Sequence, residues 1–446
     1  MSSPIRSARQ VPSVRFALDG GMLALLDPVH SVPLVSFVIA LRSGSDSDPV
    51  DKAGLARIAM RMLRRGCEGM TAEQIDFRID ALGAEVAVDA GTSSVAIHAQ
   101  VIARNLDGLV DLLAKMLGTP TFVDSELERL KRETVAEIED ARDSDRVVAQ
   151  KALHRTLFAG HAYGRNPGGT TESVRAIGID DVLAFYHSFV VTSNIVIGVA
   201  GDVVAERIPE LASRLVAGLA SGRAAVDPVA EPSMRPGRRL LVVDKPERTQ
   251  TQILVATLGT SPHDDDHVPL YVANGVFGGT FTSRLMREVR SKRGWSYGAS
   301  ARASIDRHRQ AWVLWTFPAA SDAAPCLKLV IELMEAWVAH GVTAREVAFI
   351  KRYLIRSHAF EIDTAQKRLQ QSLDVELLGL PPDYYTGWLG RVGAVDAEAA
   401  SLAVSRRIRP ENLLCVAVAT ASNMVEPLRS AISGLEDTQI VAFDAE

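Results

Sequence analysis

Two passages of this chain recur about half a chain length later. Residues 22–44, MLALLDPVHSVPLVSFVIALRSG, are two β-rich runs around a turn; residues 239–259, RLLVVDKPERTQTQILVATLG, repeat that plan, with Asp244 standing 217 positions after Asp27. Further on, SNIVIGVAGD at 193–202 is matched by ENLLCVAVAT at 411–420, where Asn412 follows Asn194 by 218 positions. Each of these two apolar runs comes after a segment of helical pattern, IDDVLAFYHSFVV or DAEAASLAVSRRI. One match would be coincidence. Two at nearly one offset, close to half of the 446 residues, indicate a tandem duplication, and a duplicated chain must fold as two similar units.

The halves meet in AAVDPVAEPSMRPGRR, where Pro228, Pro232 and Pro236 fall every fourth position. Proline has no N–H to give a helix or a sheet, so this stretch reads as an extended connector. The expected domains are 1–228 and 237–446. Within each half strands come first, then long amphipathic helices, then more strands. That order predicts an α+β fold of two tandem homologous domains, each a mainly antiparallel sheet with helices packed on one face.

Composition narrows the function. Hydrophobic residues make up 47% and charged residues 23%, with a net charge of −5, which argues against a nucleic-acid groove or an anionic membrane surface as the main partner. The three cysteines, Cys67, Cys326 and Cys415, form no CxxC and read as buried thiols in a reducing compartment. No apolar run approaches the roughly 18–20 residues that span a bilayer, and the first residues lack the apolar core of a signal peptide. The expected location is the cytoplasm, or the periplasm if a leader has been removed.

The stretch Phe281–Tyr297, FTSRLMREVRSKRGWSY, places an arginine and a tyrosine where a helix hands over to a strand. Leu285, Met286 and Val289 give the helix its apolar side, Gly294 is suited to ending it, and Trp295, Tyr297 and Ala299 then alternate as a strand requires. Arg290 is therefore expected in the last helical turn and Tyr297 at the strand start, able to converge on one cavity. A rigid guanidinium fork and a phenolic hydroxyl suit holding a peptide carbonyl or a developing oxyanion. Spacing alone also fits a surface arginine beside a half-buried core tyrosine.

GGTFTSRLMREVRSKRGWSY, together with RFALDGGMLALLDPVHSVPLVSFVIALRSGS, ELERLKRETVAEIED, HAYGRNPGGTTESVRAI and NIVIGVAGDV, resembles the pitrilysin/insulysin family of inverted zinc peptidases. The likeness is to the branch that includes the mitochondrial processing peptidases, and it runs over essentially the whole chain. It implies that Arg290 and Tyr297 bind substrate. Family catalysis uses HxxEH on a helix, two histidines holding zinc and the glutamate acting as general base, with a distant glutamate as third protein ligand. In GLARIAMRMLRRG those three positions hold Arg57, Met60 and Arg61, while Glu137 matches the distant ligand. Arginine has no lone pair for a metal, and methionine cannot act as the base. Arg57, Arg61, Arg64 and Arg65 form a basic stripe that reads as a solvated face, or else as a contact for an acidic peptide or a partner subunit.

The resemblance therefore implies a non-catalytic, substrate-binding subunit of a heterodimeric zinc metallopeptidase. This chain would bind no cofactor, and zinc would sit in a partner subunit bearing HxxEH. Arg290 and Tyr297 would reach across to the peptide substrate. Two other readings stay open, a structural core or assembly subunit and a homodimeric peptide-binding module. HDDDH at 263–267 offers metal-type side chains but precedes a helix, where acidic residues favour the positive helix end.

Overall fold

The structure is a computed structural model, described for residues 13–223 and 229–446. Pro228 lies outside the described residues. Two compact units emerge. The first takes in the described residues through Ala136, then Arg165–Val229 and Ser357–Thr386; the second comprises Glu137–Gly164, Ala230–Arg356 and Gly387–Glu446.

The first unit is built on a six-stranded sheet of β1 (Val14–Ala17), β2 (Leu23–Pro28), β3 (Leu34–Leu41), β4 (Glu85–Ala90), β5 (Val95–Ile102) and β6 (Ile195–Gly201), in the order β1-β2-β6-β3-β5-β4. Only the β2/β6 pair is parallel. The second unit carries β7 (Arg238–Asp244), β8 (Gln252–Leu258), β9 (Ala299–Ala303), β10 (Ala311–Thr316), β11 (Leu413–Ala419) and β12 (Leu435–Ala442), in the order β9-β10-β8-β11-β7-β12. Here β11/β7 and β7/β12 are parallel and the other pairs antiparallel. Each matched run of the sequence becomes the corresponding central strand: β2 and β7, β3 and β8, β6 and β11. The α+β class and the two homologous units are as the sequence predicts.

Helix placement differs from the expectation of one covered face. Along β7, Leu240 and Val242 join the core with the helices of their own half, while Leu241 and Val243 point into a second core on the other side. That second core is closed by Val148, Ala149, Ala152 and Leu153 of the helix Asp145–Leu157, from the first half of the sequence. The first sheet is treated alike: Leu369, Leu373 and Leu377 of the helix Ala365–Leu377 cover Leu23, Leu25, Val38, Ala40 and Val196. These two helices stand at an offset of 220 positions, so the loan is reciprocal and belongs to the duplication. Its physical reason is the strands' composition, apolar on both faces, which leaves no face fit for water.

Candidate functional site

The chain forms the predicted site locally around an irregular helix. Gly278 leads in, where an added Cβ would lie 2.6 Å from both Ala301 Cβ and Leu285 Cδ1, so the turn admits no side chain. Leu285, Met286 and Val289 bury the helix's apolar side as expected. The helix itself, Met286–Ser291, is a π-helix: the Lys292 N–H donates to Arg287 O at 3.0 Å, skipping one residue more than an α-turn would. Such widened turns shift later side chains around the axis and are frequent at functional sites. Gly294 ends it in the left-handed conformation, φ +67°.

Ser296 then pins the link to the sheet. It is buried, its hydroxyl donates to Gly298 O at 2.8 Å, and it accepts from the Phe317 N–H at 3.2 Å. The strand proper begins at Ala299, so Tyr297 lies in this pinned link, two residues short of the predicted position. Its ring is 77% exposed.

Arg290 and Tyr297 meet. The guanidinium carbon lies 4.2 Å from the Tyr297 ring centroid and 4.7 Å from that of Phe281, itself 71% exposed. Two rings over one guanidinium hold it by cation–π attraction and leave its N–H edge available. Among the described residues Arg290 makes no ion pair, because the nearby Glu288 is taken up by Lys292 at 2.7 Å and Arg293 at 3.0 Å. Those two cations, Lys292 foremost, hold the Glu288 carboxyl below the usual range. Phe281 escaped the sequence reading although it opens the same stretch.

The helix Leu55–Met62 carries the positions matched to the zinc motif. Met60 is fully buried, and Arg57 and Arg61 are half-buried. Arg61 Nη1 donates to the buried Thr134 hydroxyl at 3.2 Å. Arg64 reaches Asp76 at 2.7 Å and the Val86 carbonyl at 2.9 Å, and Arg65 pairs with Glu133. Arg61, Arg64 and Arg65 of the stripe expected to be solvated are thus held by acceptors within the first unit, a correction that follows from long arginine stems covering apolar surface while their heads find acceptors. Glu137 is exposed on the helix Asp124–Asp140, three residues after Thr134. Guanidinium groups and a thioether do not fit a zinc ion, and among the described residues no group of three or more His, Cys, Asp and Glu is placed to hold a metal.

HDDDH also finds partners, though not those expected. Asp266 accepts from Arg407 Nε at 2.8 Å, and Asp264 from Arg309 Nη2 at 2.9 Å. The helix His267–Phe277 receives no side-chain cap from Asp266. The carboxylates serve an arginine clasp rather than the helix end. Cys67, Cys326 and Cys415 are buried free thiols.

Residues 27–171 match the family model described as Insulinase (Peptidase family M16), and residues 176–354 match the Peptidase M16 inactive domain. The chain belongs to the M16 peptidase family. Among its M16 relatives, a protein of Helicobacter pylori named a non-peptidase homolog is 23% identical over 81% of this chain and 84% of its own length. An uncharacterized zinc protease of Bacillus subtilis is 20% identical over 92% and 99%. The crystal structure of a peptidase M16 inactive domain from Pseudomonas fluorescens superposes with a TM-score of 0.84 at 22% identity, covering 92% of this chain and 98% of that one. That likeness shows that the M16 fold is shared. Among the described residues no helix is long and apolar enough to cross a membrane.

Proposed function

We propose that this chain is the non-catalytic, substrate-holding subunit of a heterodimeric M16 peptidase. The observation that carries the reading is the Arg290 guanidinium, stacked on Tyr297 and Phe281 without a carboxylate of its own. A half-buried cation with no carboxylate partner among the described residues, fixed by exposed aromatic rings, is poor design for stability and good design for gripping a peptide carbonyl. Arginines at the metal positions support a division of labour, in which an HxxEH-bearing partner holds zinc and supplies the base. The H. pylori relative, named a non-peptidase homolog, fits the same picture.

The test is to mix this chain with an HxxEH partner and follow hydrolysis of a peptide. Tyr297→Phe and Arg290→Ala should each lower kcat/KM by about 10²-fold or more, the cost of losing one donor to a developing oxyanion. Unchanged kcat/KM in both variants would refute the assignment. So would full hydrolysis by the partner alone.

A further inference from the structure

A cavity of about 380 Å³ opens beside the π-helix, within the second unit. Its floor is apolar, made by Val276 and Ile350, and Phe349 forms a wall that is half exposed. Three arginines line it, Arg284, Arg287 and Arg345, against one acid, Glu346. Arg284 is spent on that acid: Nε and Nη2 each donate to a Glu346 oxygen at 2.8 Å, and Nη1 donates to Gly341 O at 3.1 Å. Foremost through Arg284, the Glu346 carboxyl is pushed down to about 2, so it stays ionised and cancels that one cation. Two positive charges remain, on Arg287 and Arg345. Among the described residues, Arg287 is mostly exposed and has only a loose pairing with Glu288 at 3.7 Å, while Arg345 pairs with no carboxylate.

The same chemistry continues along the helix Ala344–Ser357. Phe349 and Tyr353, about half exposed, follow one another at i and i+4, and Arg352 and Arg356 are exposed beside them. Residues at that spacing share a helix face. Aromatic rings and arginines are the side chains that carry most binding energy at protein interfaces. A cavity with surplus cations, opening onto a strip of alternating rings and guanidinium groups, is complementary to an extended peptide that alternates carboxylates with apolar side chains.

We propose that this cavity and strip bind an acidic, apolar peptide segment, with one Asp or Glu side chain seated between Arg287 and Arg345 and its apolar neighbour on Phe349 and Ile350. The strip's length favours an internal segment over a single terminal carboxylate. The site is separate from the Arg290 and Tyr297 pair and needs no catalytic partner.

The probe is a fluorescein-labelled peptide with blocked termini, glutamates alternating with leucine and phenylalanine, titrated into the full chain by anisotropy. Saturable binding is expected, weakening about tenfold or more in the Arg287→Gln/Arg345→Gln double variant and as salt rises from about 50 to 500 mM. Phe349→Ser should also weaken it, whereas Tyr297→Phe should leave it unchanged. These side chains are exposed, so circular dichroism and Tm should match the wild type. Equal affinity for a glutamine counterpart, unchanged binding in the double variant, or no saturable binding would overturn the site. An unblocked glutamine peptide binding where the blocked glutamate peptide does not would move the site to chain termini and overturn the side-chain assignment.

Discussion

Arg368 grips Asp27 through two parallel hydrogen bonds, Nε to Oδ2 at 2.9 Å and Nη2 to Oδ1 at 2.7 Å. Asp27 is 6% exposed at the end of β2, and Arg368 sits on the lent helix between Gln366 and Leu369. The pair fixes that helix's register on the first sheet. Arg368→Ala would strand a buried carboxylate, which typically costs about 3–5 kcal/mol, while replacing both members with leucine should recover much of the loss. Urea denaturation of the two variants checks this. A single variant as stable as wild type would show that the grip is incidental.

Zinc chemistry is closed to the helix Leu55–Met62 by charge and by packing. After incubation with excess zinc and desalting, metal analysis of the purified chain should find no stoichiometric ion at that helix. One tightly held zinc that is lost in an Arg57→Ala/Arg61→Ala variant would contradict the reading. Met60→Glu, which would restore the general base of the motif, puts a charge at a position only 1% exposed. It should destabilise the first unit by several kcal/mol rather than create activity.

His267 gives the fold a defined acid sensitivity. Burial pushes its imidazole down to about 4 from an ordinary 6.5, against the pull of Asp264 and Asp266, and Nδ1 lies 2.8 Å from the Thr260 hydroxyl. The folded chain keeps the ring neutral while the unfolded chain protonates it near 6.5. This contribution to stability is complete above that pH and is lost as pH falls towards 4. His154, also depressed by burial, acts with the same sign. In His267→Gln, stability should fall less steeply over that window, as measured by urea midpoints at half-unit pH steps. An unchanged slope would count against it.

Phe281 should separate holding from folding. Its exposed ring contributes little to the core, so Phe281→Ala should change stability by no more than about 0.5 kcal/mol. Losing one of the two rings over Arg290 should still loosen the guanidinium and, in the proposed heterodimer, lower kcat/KM by a few-fold, less than Arg290→Ala does. An equal effect of both substitutions would make Phe281 a direct substrate contact.

The strand plan was legible because the duplicated runs are short, apolar and bounded by turn residues. Asp27 and Asp244, Asn194 and Asn412 mark equivalent places in two sheets of matching central order. The lent helices were not legible. Periodicity tells which side of Ala365–Leu377 is apolar, but not which sheet that side covers; the trace available was the offset of 220 positions to Asp145–Leu157. Around the site, helix signals placed Arg290 close to Tyr297 along the chain. The π-turn that widens the helix depends on backbone bonds from Lys292 and its neighbours, which side-chain patterns do not encode. Phe281 carried no helical or strand periodicity, so nothing drew attention to it, and the arginine stripe misled because charge alone does not reveal whether Thr134 or Glu133 will meet it.

The reciprocal loan of helices also sets a timetable for synthesis. The last strand of the first sheet ends at Gly201, but the helix that covers its second face ends at Leu377, 176 residues later. At about 5–20 residues per second, a ribosome needs roughly 10–35 s to deliver that cover. Throughout that interval Leu23, Leu25, Val38 and Val196 present an uncovered apolar face on the nascent chain, a substrate for holding chaperones. The first unit begun therefore cannot be finished until much of the second has been made.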